Sequence, residues 1–178
     1  MSHTIYHTEA FVMSTRNTGE ADKTFHLFTK DFGVIRAKAM GIRKMESRLR
    51  YFVQDFKYID ASLVKGKTFW RLVSARPIHD LNSRKSLASS TRIRSLQLVA
   101  KLAPEEEPQL NLFDELVSAF EFTSTTHPEA GDMESIEALL VLKILSALGY
   151  WGDAGNLSGL AKSPFTAETI ARLTSAKK

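Results

Sequence analysis

The sequence contains no cysteine in its 178 residues. That absence excludes disulfides, thiolate metal sites, cysteine nucleophiles and Cys-x-x-Cys redox chemistry. Apolar runs are short, and none reaches the roughly 18 residues that a membrane helix needs. The opening MSHTIYHTEAFVM lacks a charged region followed by a long apolar stretch. It does not read as an export signal, and the expected location is the cytosol. There is no internal repeat and no low-complexity segment. With 43% apolar and 25% charged residues, the chain is too polar for a membrane protein and too apolar for a disordered one. Its length allows one or two small domains with a real core.

Catalytic signals are missing as well. Gly66-Lys67-Thr68 imitates the end of a phosphate-binding P-loop, but Ala61 stands where the first glycine is needed. His3 and His7 are four apart with no third ligand nearby, so no metal site is expected. Ser158 lacks the Gly-x-Ser-x-Gly elbow. Glu105-Glu106-Glu107, between Pro104 and Pro108, reads as a solvated loop rather than a magnesium site. No nucleophile, base and orienter come together, so nothing supports an enzyme, and no cofactor is expected.

What is present is an uneven charge. Residues 1–101 hold 19 Lys/Arg and 8 Asp/Glu, a balance of +11, whereas residues 102–178 hold 5 and 12, a balance of −7. The net +4 hides this split, and a basic half points to a polyanionic partner.

Residues 1–79 read as strands. Glu9–Thr15 is a short run of strand formers, and Asn17–Glu20 is a turn. Thr24–Thr29 alternates weakly. Val34–Met40 alternates clearly, with Ile35, Ala37 and Ala39 on one face and Arg36 and Lys38 on the other. Phe56–Val64 and Thr68–Ser74 are the fourth and fifth strands, joined by a turn at Lys65-Gly66-Lys67. Five short strands in this length suit a small closed barrel. From residue 80 the period becomes helical. Residues 83–103 carry Leu87, Ile93, Leu96, Val99 and Ala103 at helical spacing, and residues 109–122 form a second helix. Residues 133–148 are apolar almost all round, which predicts a helix central to a bundle, capped by Gly149. Ser163-Pro164 starts a last short helix. The reading is an α+β chain with a barrel over 1–79 and a helical domain over 80–178.

The chemistry is concentrated in residues 36–50, RAKAMGIRKMESRLR, with six basic residues and one acidic. A flexible, basic, glycine-containing connection suits a phosphate backbone, because Lys and Arg release condensed counterions and glycine permits close approach. The basic excess continues through Lys57, Lys65, Lys67, Arg71 and Arg76, and Tyr51, Phe52, Phe69 and Trp70 lie beside it. Unpaired bases stack on such rings with little sequence preference. The nucleic-acid contacts expected are Arg36, Lys38, Arg43, Lys44, Arg48, Arg50, Lys67, Phe69, Trp70 and Arg71. On the helical part, Arg84, Lys85, Arg92 and Arg94 flank an apolar helix and suggest a basic rim for an acidic peptide tail.

The order of short motifs resembles the RecO family of bacterial recombination mediators. Arg16 is followed by Gly19-Glu20-Ala21-Asp22-Lys23, then Leu27-Phe28-Thr29, Gly33-Val34-Ile35, Ala37-Lys38-Ala39-Met40-Gly41, Arg43-Lys44 and Ser47-Arg48-Leu49. Residues 8–76 carry the specific matches. The helical part matches in character, with Leu148-Gly149-Tyr150 as its one motif. The resemblance implies an N-terminal OB-fold barrel and a C-terminal helical domain. It implies binding of single- and double-stranded DNA, annealing of complementary strands and help in loading RecA. The partners it implies are RecR and the acidic C-terminal tail of single-strand DNA-binding protein. Two departures stand out. Many members carry a four-cysteine zinc module after the Leu-Gly-Tyr helix, which this sequence lacks, so no zinc is expected. Only 28 residues follow Tyr150, which suggests a shortened form. The competing readings are an RNA-binding OB domain and a non-catalytic scaffold for an acidic protein.

Overall fold

The computed structural model describes residues 4–78, 87–150, 159 and 162–175. The strands are β1 (Ile5–Thr18), β2 (Asp22–Thr29), β3 (Gly33–Ala39), β4 (Tyr58–Lys65) and β5 (Trp70–Pro77), with the one-turn helix α1 (Leu49–Phe52) between β3 and β4. They close into a barrel in the order β1-β2-β3-β5-β4. All pairs are antiparallel except β3 with β5, which run parallel and meet only at Ala37–Trp70 and Lys38–Arg71. β1 starts earlier than the sequence suggests. Its first half pairs with β4 and its second half with β2, and a register shift between Val12 and Ser14 lets the long strand bend from one neighbour to the other.

Alternation fills the interior. Ala10, Val12, Phe25, Leu27, Ile35, Ala37, Ile59, Leu63, Trp70 and Leu72 point inward and are all buried. Each large apolar side chain so enclosed contributes about 1.5–3 kcal/mol. Two strand starts differ from the sequence reading for local reasons. Phe56 sits at φ +64°, a left-handed conformation that cannot continue a strand, so β4 begins at Tyr58. Gly66 donates its N–H to the Phe69 carbonyl, closing a turn that delays β5 to Trp70.

The chain divides into two compact units, Met1–Asp80 with Ala103–Leu110, and Leu81–Leu102 with Asn111–Lys178. Residues 103–110, expected among the helices, belong with the barrel. Glu105 bridges Val34 in parallel, and the Glu106 N–H donates to the Val34 carbonyl at 2.8 Å. Gly33 makes this possible. It sits at φ +65°, and a Cβ there would lie 1.9 Å from the Glu107 carbonyl oxygen.

The helical unit contains α2 (Leu87–Leu102), α3 (Leu110–Thr126, of which Leu110 groups with the barrel), α4 (Ala130–Ala147) and α5 (Ala167–Ser175). α4 packs against α2 and α5, and its Lys143 reaches Glu115 of α3, so it is central as its apolar circumference predicts. Gly149, at φ +75°, donates to Ser146, and the Tyr150 N–H donates to Leu145, which together form a Schellman cap. α5 starts after Thr166, not at Ser163-Pro164. The Thr166 hydroxyl accepts the Thr169 N–H and satisfies the first turn. No described helix is long and apolar enough to cross a membrane.

Candidate nucleic-acid interface

Two groups of cations lie on the barrel unit. The first is on the connection from β3 to α1. The sequence suggests a flexible loop, but its backbone is pinned. Gly41, at φ +66°, donates its N–H to Asp22 Oδ1 at 2.8 Å, and the Arg43 N–H donates to the Ala21 carbonyl at 2.9 Å. Ile42 and Val53 enter the barrel core at either end of the connection. Between these anchors Arg43, Lys44 and Arg48 are exposed. The Arg43 guanidinium donates to the Gly19 carbonyl at 3.2 Å. Arg50 is half-buried, lies 4.6 Å over the Tyr51 ring and donates to the Tyr51 hydroxyl. Tyr51 is nevertheless 60% exposed, and Phe52 and Met45 of the same connection are exposed as well.

α1 lies against β5, which joins this connection to the second group. That group surrounds a pocket of about 300 Å³ between β3 and β5, lined by Thr24, Ile35, Arg36, Lys38, Thr68, Phe69, Trp70, Glu105 and Glu106. Here Arg36 pairs with Glu105 at 2.7 Å, Lys38 with Asp22 at 2.8 Å, and Lys65 with Glu106 at 3.1 Å. The Asp22 carboxyl is held below its ordinary range, first by Lys38 and then by the Gly41 N–H. Glu106 is held low by Lys65 and by the Trp70 indole N–H. Lys67, Phe69 and Arg71 are exposed on the same hairpin.

The ten expected contacts therefore divide. Among the described residues, Arg43, Lys44, Arg48, Lys67 and Arg71 are in no ion pair, whereas Arg36 and Lys38 are each held by a carboxylate. Trp70 corrects the expectation of a base-stacking ring. It is 3% exposed and packs on Phe32 at 4.8 Å and edge-on to Tyr6 at 5.7 Å, because the β5 alternation turns it inward with Leu72. Tyr51 and Phe52 offer the exposed rings instead, together with Phe69 at 45% exposure. The acidic run Glu105–Glu107 is the feature that sequence reasoning missed. It is solvent-exposed, as a loop would be, but it is bonded to the basic face.

Of the basic rim expected on the helices, two residues are described. Arg84 and Lys85 lie outside the described residues. Arg92 is 3% exposed with its guanidinium 5.4 Å from the Phe120 ring, because the buried face of α2 runs through Arg92, Leu96 and Val99. Arg94 is exposed, but Nε and Nη2 both bond to Glu137, a fork that holds the Glu137 carboxyl below its ordinary range. No cluster of three or more metal-ligating side chains occurs among the described residues.

A family model described as Recombination protein O N terminal matches residues 1–81. DNA repair protein RecO of Heliobacterium modesticaldum is 31% identical over 82% of this chain and 52% of its own length. That of Desulfitobacterium hafniense is 29% identical over the same shares, and that of Dehalococcoides mccartyi is 32% identical over 70% of this chain and 50% of its own. The chain spans about half the length of the curated relatives it matches. The closed barrel with its parallel β3–β5 pair is an OB-fold, and residues 1–81 match the N-terminal domain of the RecO family.

Proposed function

We propose that this protein acts in DNA repair as a recombination mediator that holds DNA by its phosphates, without catalysis. It binds single- and double-stranded DNA, anneals complementary strands and helps load RecA onto DNA coated with single-strand-binding protein. Its partners in this role are RecR and the acidic C-terminal tail of single-strand-binding protein. The observation that carries the reading is that Arg43, Lys44, Arg48, Lys67 and Arg71 of the barrel unit are all exposed and in no described ion pair, and that the same unit exposes Tyr51, Phe52 and Phe69. The cations neutralise phosphates, and the rings take unpaired bases. Neutralising two strands on one surface lowers their mutual repulsion, which favours annealing.

The test is fluorescence anisotropy with a labelled single-stranded oligonucleotide. Reversing Arg43 and Lys44 to Glu is expected to weaken binding by at least about 100-fold without lowering the melting temperature, since neither side chain is buried. Five phosphate contacts on a single strand give a slope of log K against log salt of about −3.5. A flat salt dependence, or full affinity in the reversed variant, sinks the reading. Competition with a ribo-oligonucleotide separates DNA from RNA, because an RNA reader depends on the 2′-hydroxyl. An annealing assay on complementary strands coated with single-strand-binding protein tests the mediator role.

A further inference from the structure

Glu106 occupies a small anion site. One carboxylate oxygen accepts the Trp70 indole N–H at 3.2 Å, and the other accepts Lys65 Nζ at 3.1 Å. Lys65 also sits 5.1 Å over the Trp70 ring, so the two donors are fixed relative to one another. Next to it, Arg36 presents Nε at 2.9 Å and Nη2 at 2.7 Å to the same oxygen of Glu105. Lys65, Arg36 and the two glutamates all keep more than half of their side-chain surface exposed, so solvent and ligands reach these pairs. The backbone carrying them is not relaxed. Glu106 adopts φ +55°, in a left-handed region that non-glycine residues seldom use. Such outliers persist where surrounding contacts hold them and are frequent at ligand clamps and switch regions. The contacts that hold Glu106 are its N–H to Val34 and the two side-chain bonds.

Resting on the reading of the barrel as a DNA-binding surface, we infer that Glu105 and Glu106 are stand-ins for backbone phosphates. The site formed by Arg36, Lys65 and the Trp70 N–H takes two phosphates of a single DNA strand, and the acidic segment must leave for it to do so. A carboxylate and a phosphate both accept charged N–H donors at these distances, and a backbone phosphodiester spreads the same single charge over two free oxygens, as a carboxylate does. The pocket lined by Arg36, Lys38 and Phe69 beside the glutamates gives the strand a path once the segment lifts. The segment is therefore an internal competitor. It weakens DNA binding at β3–β5 and leaves the Arg43–Arg48 connection open.

The experiment measures the affinity of the full chain for an oligothymidylate of about 15 nucleotides, close to the largest site of one OB-fold. Four proteins are compared: wild type, Glu105→Gln/Glu106→Gln, Gly33→Ala, and Glu20→Gln/Asp55→Asn. The last removes two exposed carboxylates of the barrel unit that hold none of these cations, so it reports the general effect of charge. Glu105→Gln/Glu106→Gln is expected to bind about threefold to tenfold more tightly than that control, the scale of two exposed ion pairs. Gly33→Ala changes no charge, but its Cβ would meet the Glu107 backbone and push the segment off. If it folds, it should gain affinity in the same direction. A third readout needs no variant. In the wild type, DNA should shift the Trp70 indole N–H resonance as a phosphate replaces the Glu106 carboxylate on it. If the wild type binds but Glu105→Gln/Glu106→Gln binds no more tightly than Glu20→Gln/Asp55→Asn, the competitor is overturned and the DNA-binding role stands. If the wild type does not bind, the DNA-binding role itself fails.

Discussion

Arg43 and Arg92 both stand in basic stretches of sequence, yet one is solvent-exposed on the barrel unit and the other is enclosed in the helical unit. The difference lies in what surrounds each backbone. The β3–α1 connection buries its apolar anchors, Ile42 and Val53, and leaves the residues between them in water. α2 has a continuous buried stripe, and a long arginine stem that falls on it is drawn in, its charge placed over an aromatic face. A count of positive charge therefore overstates the binding surface of a helix and describes a loop well. The barrel unit shows the same lesson in reverse. Residues 1–79 carry 14 basic and 7 acidic residues, but Glu105–Glu107 belong to the same unit and reduce its excess.

The largest expected effect separates two aromatic side chains of the barrel unit that differ in burial. Trp70→Ala empties a site enclosed by Phe32 and Tyr6 and should cost about 3–5 kcal/mol in urea unfolding. Tyr51→Ala, at a 60% exposed site, should leave stability within about 0.5 kcal/mol. It should weaken oligonucleotide binding by about tenfold, the value of roughly one stacked base. A stability loss in Tyr51→Ala as large as that of Trp70→Ala would break the division between core and interface rings.

Arg92 and Arg94 give the next contrast. Arg92→Ala should destabilise the protein by about 1–3 kcal/mol, through lost stem packing and the lost contact with Phe120. Arg94→Ala removes a more exposed pair with Glu137 and should cost less than about 1 kcal/mol. Denaturant unfolding of the two variants side by side checks the order. Equal costs would mean that α2 buries a different face.

Much of this was legible in the residues, and what was not has identifiable causes. The alternation of Ile35, Ala37 and Ala39 gave the barrel face of β3 directly, and the apolar circumference of α4 gave its central place. Phe69 and Trp70 are adjacent, so the residues do not say which of them faces inward, and the strand that follows the Gly66–Phe69 turn puts Trp70 there. Arg92 was misread for a similar reason, since a phase error of one residue exchanges Ile93 for Arg92 on a helical stripe. The Glu105 and Glu106 contacts leave no local trace. Glu105 is 69 positions from Arg36, and a run of glutamates between prolines has no periodicity to mark what it meets.

The smallest effect tests the acidic segment from its back. His26 lies on β2, opposite Arg36 in register and half-buried, and its Nε2 has no hydrogen-bond partner among the described residues. Burial holds the imidazole below its ordinary pKa. Arg36 adds to that shift, and Glu105 opposes it. Above the ordinary imidazole range the group is neutral in both folded and unfolded chains, and it costs nothing. As pH falls through that range, the unfolded chain takes up a proton that the folded chain resists, so stability declines until the folded group protonates at its lower value. Melting temperatures between about pH 7 and about pH 5 should therefore fall less in His26→Gln than in the wild type. Glu105→Gln removes a charge that favours the imidazolium and leaves the opposing effect of Arg36. It should drive the His26 titration, followed by proton NMR, to still lower pH. A His26 midpoint that is the same with and without the Glu105 carboxylate would show that the segment does not hold its charge against β3 in solution.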